Sequence, residues 1–163
     1  MTRTLRELRT SDWPEVYREV WHPVVGAGGT YLYPRDTGEA EARARWCLPP
    51  PAQVWVVVEQ GQVAATAQLR PNQPGAGSHV ANAAFMVAPS RRGAGLGRWT
   101  AERVLAEARS SGYEAMQFNA VLAGNTAALA LWRSLGFAVV GRVPDGYRDG
   151  EVSDDLLVLH RPL

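Results

Sequence analysis

The plainest chemical signal in the chain is a run of arginines and glycines, Arg91-Arg92-Gly93-Ala94-Gly95-Leu96-Gly97-Arg98. Glycines just ahead of a helix leave main-chain N–H groups unshielded, and a helix N-terminus adds unsatisfied donors and a partial positive charge. Such a place favours a phosphate. Arg91, Arg92 and Arg98 add full positive charges around it. The loop grammar excludes two common ligand types. A Walker loop needs Gly-x-x-x-x-Gly-Lys followed by Ser or Thr, which is absent. A dinucleotide fingerprint needs a third glycine where Arg98 stands.

Three asparagines form a second set. Asn82 interrupts an apolar run and Asn119 another, although asparagine is a poor strand former. A buried amide must find partners, and either neighbouring backbone or a ligand satisfies it. Asn125 precedes an amphipathic run and suits an N-cap.

The elements that would position these residues can be read from periodicity. Residues 80–87 are short, mostly apolar and free of Pro and Gly, so they predict a strand leading into the glycines. Leu96, Thr100, Val104, Leu105 and Ala108 recur at helical steps and predict the helix after them, with Gly112 closing it. Residues 113–121 predict a strand and 125–135 a helix closed by Gly136. Upstream, 4–8 suits an edge strand. Asp12 with Glu15 suits the capping of a helix that His22-Pro23 should kink or end. A helix is expected over 38–47, and 54–59 with 62–69 predict a hairpin across Gln60-Gly61. Two last strands are expected at 137–143 and 156–160, separated by a turn-rich stretch.

The order strand, Val87-x-Pro89, Arg92 through Gly97, helix resembles the acetyl-CoA pyrophosphate loop of the GNAT N-acetyltransferases. A second landmark follows at that family's distance. Asn125, Ala128, Leu131, Trp132, Gly136 and Phe137 stand as in its Asn-x-x-Ala-x-x-Leu-Tyr-x-x-x-Gly-Phe helix, with tryptophan replacing tyrosine. The resemblance covers roughly residues 54 to 159. It implies an α/β fold over residues 1–163 with a central mixed, mostly antiparallel sheet flanked by helices. It also implies acetyl-CoA bound by Met86, Val87, Ala88, Arg92, Gly93, Ala94, Gly95, Leu96, Gly97, Arg98 and Asn125, with no metal. A homodimer is common in the family. In most relatives the tyrosine hydroxyl protonates the departing sulfur; an indole N–H lacks that acidity, leaving Trp132 to donate a hydrogen bond or to pack.

Asn82, Asn119 and Asn125, with the Gly28–Tyr33 segment and Trp132, further resemble the fungal azetidine-2-carboxylate and cis-4-hydroxyproline N-acetyltransferases. That likeness implies that Asn82 binds a substrate carboxylate, and that Asn119 and Asn125 orient the reacting nitrogen. Tyr31 and Tyr33 are expected to line the lid of a small site. The expected substrate is therefore a small amino or imino acid. The alternatives are another amine, such as an antibiotic or a protein N-terminus, or CoA binding without catalysis.

Composition bounds these readings. The 163 residues suit one domain. The net charge of +1 argues against a nucleic-acid or anionic-membrane partner. The single cysteine, Cys47, excludes an internal disulfide. No apolar run approaches membrane-spanning length, so the expected location is the cytoplasm.

Overall fold

Strands β1 (Arg3–Glu7), β2 (Gln53–Glu59), β3 (Gln62–Pro71), β4 (Val80–Val87), β5 (Ala115–Leu122), β6 (Ala138–Asp149) and β7 (Val152–Pro162) form one sheet in the order β1-β2-β3-β4-β5-β7-β6. The computed structural model describes residues 2–163. Every neighbouring pair is antiparallel except β4 and β5. That parallel pair is registered only at Val80↔Ala115 and Ala81↔Met116, and beyond those residues the two strands part. The mixed, mostly antiparallel sheet expected from the sequence is thus present, and it carries an open wedge at its centre.

Helices α1 (Trp13–Val16), α2 (His22–Ala27) and α3 (Glu39–Trp46) cover one face; α4 (Leu96–Ser110) and α5 (Thr126–Ser134) cover the other. On the first face Trp13, Val16, Val20, Trp21 and Trp46 pack with Val56, Val63 and Met86. On the second, Ala101, Val104, Leu105, Leu129 and Trp132 pack with Leu69, Met116 and Leu159. Alternation along β4 follows: Ala81 and Ala83 look to α4 and α5, while Ala84 and Met86 look to α1–α3.

The N-terminal helix differs from expectation in two ways. Arg9, not Asp12, is the cap residue. Asp12 lies at the third helical position, accepts from the Arg9 N–H at 2.7 Å, and is held by the Arg6 guanidinium. Glu15 does not reach back; it accepts from the Val63 N–H at 2.9 Å across the layer. Nor does Pro23 stop the helix. A π turn over Tyr17–Trp21 joins α1 to α2, with the His22 N–H bonded five residues back to Tyr17 C=O. The register change places the residue without an N–H just past the widened turn, so the chain stays helical to Ala27.

At the C-terminus the turn-rich stretch is mostly strand. β6 continues to Asp149 and β7 begins at Val152, so the reversal occupies only Gly150 and Glu151, with Gly150 at φ 60°. Asp145 and Gly146 lie within an irregularity of β6 between Val143 and Tyr147. The Asp155 carboxylate accepts from the Asp145 N–H at 2.9 Å there, so residues that read as turn formers serve a bulge.

Candidate active site

The wedge between β4 and β5 organises the site. In the β3–β4 ladder the Ala88 N–H bonds Ala64 C=O at 2.9 Å and the Asn72 N–H bonds Val80 C=O at 2.8 Å. Hydrogen-bonded and non-bonded pairs alternate along an antiparallel ladder, so Phe85 and Val87 aim their N–H and C=O groups at β5. The β4–β5 ladder stops at Ala81, and these groups therefore face the opening. At Phe85 they are taken by one side chain. The Tyr31 hydroxyl donates to Phe85 C=O at 2.7 Å and accepts from the Phe85 N–H at 3.1 Å. The groups of Val87, two residues on, have no strand beside them.

Because β4 and β5 run in parallel, the turns that follow them lie at the same end of the wedge. After β4 comes a 3-10 turn, Pro89–Arg91, then the glycine loop. Gly93 at φ 79° and Gly95 at φ 72° adopt left-handed conformations that glycine takes without strain. The first bond of α4 runs from the Trp99 N–H to Gly95 C=O. Among the described residues, the N–H groups from Gly93 to Arg98 thus stand without acceptors ahead of and within its first turn. Gly97 lies inside the helix. A Cβ there would meet Leu131 at 3.7 Å and Val87 at 4.0 Å, both ordinary contacts, so α4 lies against β4 and α5 with room for a methyl group.

The three arginines of this loop have different circumstances. Arg92 is exposed, and Arg98 pairs with Glu102 at 3.3 Å and bonds the Ser134 hydroxyl. Arg91 is not free for a phosphate as expected: it is spent on Glu59 at 3.4 Å and Gln62 at 2.7 Å. Glu59 is buried and also pairs with Arg3 at 2.7 Å, which holds its carboxyl below the usual carboxylate range. Arg3 in turn donates to Ala94 C=O at 2.8 Å, turning that carbonyl out of the loop.

After β5, Asn125 caps α5 as expected, its Oδ1 accepting from the Ala128 N–H at 3.2 Å. Trp132 lies beneath the wedge, 8% exposed, with ring centroids 5.1 Å from Phe85 and 4.6 Å from Phe118. One of those rings belongs to each parted strand. Phe137 completes the cluster at 5.7 Å. The indole is therefore a packing group that wedges the strands from the α5 side.

The opposite side of the wedge carries the remaining polar residues. Asn82, one strand alternation from Ala84, faces α1–α3, is half-buried, and makes no side-chain hydrogen bond among the described residues. Across the ladder from it stands Arg70. This half-buried guanidinium, which sequence reasoning missed, has no acidic partner among the described residues. Asn119 is exposed, not buried as expected, because it sits at a register irregularity between Phe118 and Val121, where β5 briefly leaves β7. Its Oδ1 accepts from Gln117 at 2.9 Å, and its Nδ2 donates to Asn72 at 2.7 Å. Asn72 and Gln117 were also missed, since nothing in the local pattern distinguishes them from ordinary polar residues.

Tyr31 and Tyr33 stack at 5.8 Å with planes 5° apart, and Tyr33 stacks again on Trp21 at 5.5 Å. Burial pushes both phenols above their usual range; Arg70 and Arg45 oppose this at Tyr33. Both rings line a cavity of about 290 Å³, closed on its far side by Tyr147, Arg148 and Asp149. The Tyr147 hydroxyl accepts from the Gly29 N–H at 3.0 Å, and Arg35 bonds Asp149 at 2.6 Å, so the Tyr31–Tyr33 segment is tied to β6. A larger depression of about 480 Å³ lies by Glu102, Arg109 and Arg161, at the far ends of α4 and α5 and away from the wedge. No helix among the described residues is long and apolar enough to cross a membrane, and none of their His, Cys, Asp and Glu side chains group into a metal site.

This arrangement has known counterparts. Residues 3–137 match the Acetyltransferase (GNAT) family profile. An acetyltransferase of that family from Kribbella flavida is 39% identical over 99% of this chain and 98% of its own, with a TM-score of 0.91. A ribosomal-protein-alanine N-acetyltransferase from Brucella melitensis is 25% identical over 98% of this chain and 99% of its own, with a TM-score of 0.84. The N-acetyltransferase aca1 of Schizosaccharomyces pombe is 39% identical over 80 residues, 49% of this chain but only 38% of its own length. With a family match over most of its length and a sheet parted between β4 and β5, the chain belongs to the GNAT family of acetyltransferases.

Proposed function

We propose that the protein transfers the acetyl group of acetyl-CoA to the nitrogen of a small amino or imino acid. The observation that carries this reading is the adjacency of two sets of undonated main-chain groups: those of Val87 inside the wedge and the N–H groups from Gly93 to Arg98 at its mouth. The second set suits a diphosphate and the first an extended amide-bearing arm. Acetyl-CoA supplies an activated acyl group. The chain's own residues supply position, and orientation alone is worth about 7–11 kcal/mol of a bimolecular barrier. The Val87 N–H is the donor available to a developing oxyanion.

The acceptor reading rests on the other side of the wedge. Arg70 and Asn82 are register partners, a cation and an amide with no side-chain hydrogen bond or ion pair among the described residues, which suits a carboxylate. Asn119 and Asn125 are the amides assigned to hold the nitrogen. An amine with a pKa near 10 costs about 4 kcal/mol to deprotonate at pH 7. Neutral amide groups hold it without a negative charge that would keep it protonated, and desolvation favours the free base. Neither β4 nor β5 carries an Asp or Glu, so water is the assigned carrier of the released proton.

The test is release of free CoA thiol on incubating acetyl-CoA with azetidine-2-carboxylate, cis-4-hydroxyproline, their methyl esters and an alanyl peptide. Turnover of the free acids above the esters is expected. Turnover of the peptide alone would replace the small-molecule reading, and no thiol release with any amine would leave only a CoA-binding protein.

A further inference from the structure

The wedge has a floor that the family's loop and helix motifs do not describe. Tyr31 comes from the segment between α2 and α3, yet its hydroxyl fills the place on β4 that β5 has vacated, satisfying both main-chain groups of Phe85. It is held there from several directions. Its ring stacks on Tyr33, meets Trp46 edge-on at 6.3 Å, and belongs to a segment fastened to β6 through Tyr147 and Arg35. The phenol is thus a fixed wall rather than a mobile side chain. The next outward position on the same edge is Val87.

We infer that Tyr31 is the specificity-determining residue for the length of the acyl group, closing the wedge so that a two-carbon acyl chain fits and longer ones do not. The inference rests on the proposed seating of the donor arm at Val87. Alternate residues along a strand lie about 6.7 Å apart, twice the rise per residue. An acyl group whose carbonyl accepts from the Val87 N–H and whose chain runs along the edge toward Phe85 must keep about 3.5–4 Å from the phenol. An acetyl methyl does so, whereas each further carbon closes on the phenol, whose two hydrogen bonds and stacked neighbours oppose its moving. Trp132, packed between Phe85 and Phe118, blocks escape on the other side.

The test is the affinity of the full chain for CoA and for acetyl-, propionyl- and butyryl-CoA, by titration calorimetry without an acceptor. The wild-type chain is expected to bind butyryl-CoA about tenfold or more weaker than acetyl-CoA, the scale of forcing extra methylenes into a packed site. Tyr31→Ala should bring that ratio within about threefold while leaving the affinity for CoA itself unchanged. Tyr31→Phe keeps the ring and loses the hydroxyl. It should improve propionyl-CoA relative to acetyl-CoA by about threefold, and it decides the matter if the alanine variant melts without cooperativity. Equal binding of acetyl- and butyryl-CoA by the wild-type chain overturns the inference, as does unchanged discrimination in a folded Tyr31 variant. A wild-type chain that binds neither CoA nor any thioester overturns the donor reading as well, which separates the two failures.

Discussion

At the scale of single residues, Arg70 is the most informative side chain, because charge without a partner in a half-buried place asks for one. Arg70 stands opposite Asn82 in the β3–β4 ladder, and its charge acts on Tyr33. Replacement by glutamine keeps the length and some hydrogen bonding but removes the charge. Arg70→Gln is expected to raise KM for a carboxylate-bearing acceptor about ten- to hundredfold, the range of a charge-assisted hydrogen bond, with acetyl-CoA affinity unchanged. Steady-state kinetics with each substrate varied in turn distinguishes this from general damage, which would raise both. Asn82 stood out in the sequence as an amide in an apolar strand, whereas Arg70 did not. An arginine near a strand end ordinarily extends into solvent, and only the register with Asn82 brings it to the proposed acceptor site.

Secondary-structure elements were legible where a single physical signal dominated. The glycine loop between β4 and α4 was readable because left-handed backbone at Gly93 and Gly95 and a following amphipathic helix both mark it. Gly95→Val forces a β-branched residue to φ 72° at the N-cap of α4, costing roughly 1–3 kcal/mol of strain and reorienting the donors. CoA affinity should fall at least about tenfold by calorimetry; an unchanged value would remove the loop from the donor site. Gly97→Ala is the control, since its Cβ meets only ordinary contacts. The π turn at Tyr17–Trp21 and the continuation of β6 through Asp145-Gly146 were not legible. Both are tertiary outcomes: a proline accommodated by a widened turn, and turn-forming residues held in a bulge by the Asp155 carboxylate. The parting of β4 from β5 left no local trace in either strand either, being defined by where pairing ends.

For the molecule as a whole, the linkage running from β1 through β2 to the glycine loop joins stability to donor binding. Arg3 and Arg91 hold the buried Glu59, and Arg3 also holds Ala94 C=O. Glu59, Asp12 and Asp155 all have carboxyls lowered from the usual range, Glu59 and Asp12 chiefly by arginine hydrogen bonds and Asp155 chiefly by the Asp145 N–H. A lowered native pKa stabilises the fold above the unfolded carboxylate value of about 4. That stability is lost as pH falls through the depressed native values. Glu59→Gln should therefore lower Tm at pH 7, flatten the acid limb of the Tm–pH curve, and weaken CoA binding through the unmoored loop. Calorimetric melts across pH 3–7, with CoA titrations at neutral pH, check all three; an acid limb as steep as the wild type's would assign the linkage to other groups.

On the proposed reading, in which Asn119 holds the acceptor nitrogen, its links to Gln117 and Asn72 bear on the kind of nitrogen that fits. A primary amide has two hydrogens to give and two lone pairs to fill. Asn119 has already committed one of each, to Asn72 and Gln117. What it offers an incoming nitrogen is a single vacancy of either sense, enough to fix one N–H and no more. Primary and secondary amines meet that remainder on equal terms, so under the proposed function any choice between open-chain and cyclic acids would fall to the aromatic rings of Tyr31 and Tyr33 and not to the amide.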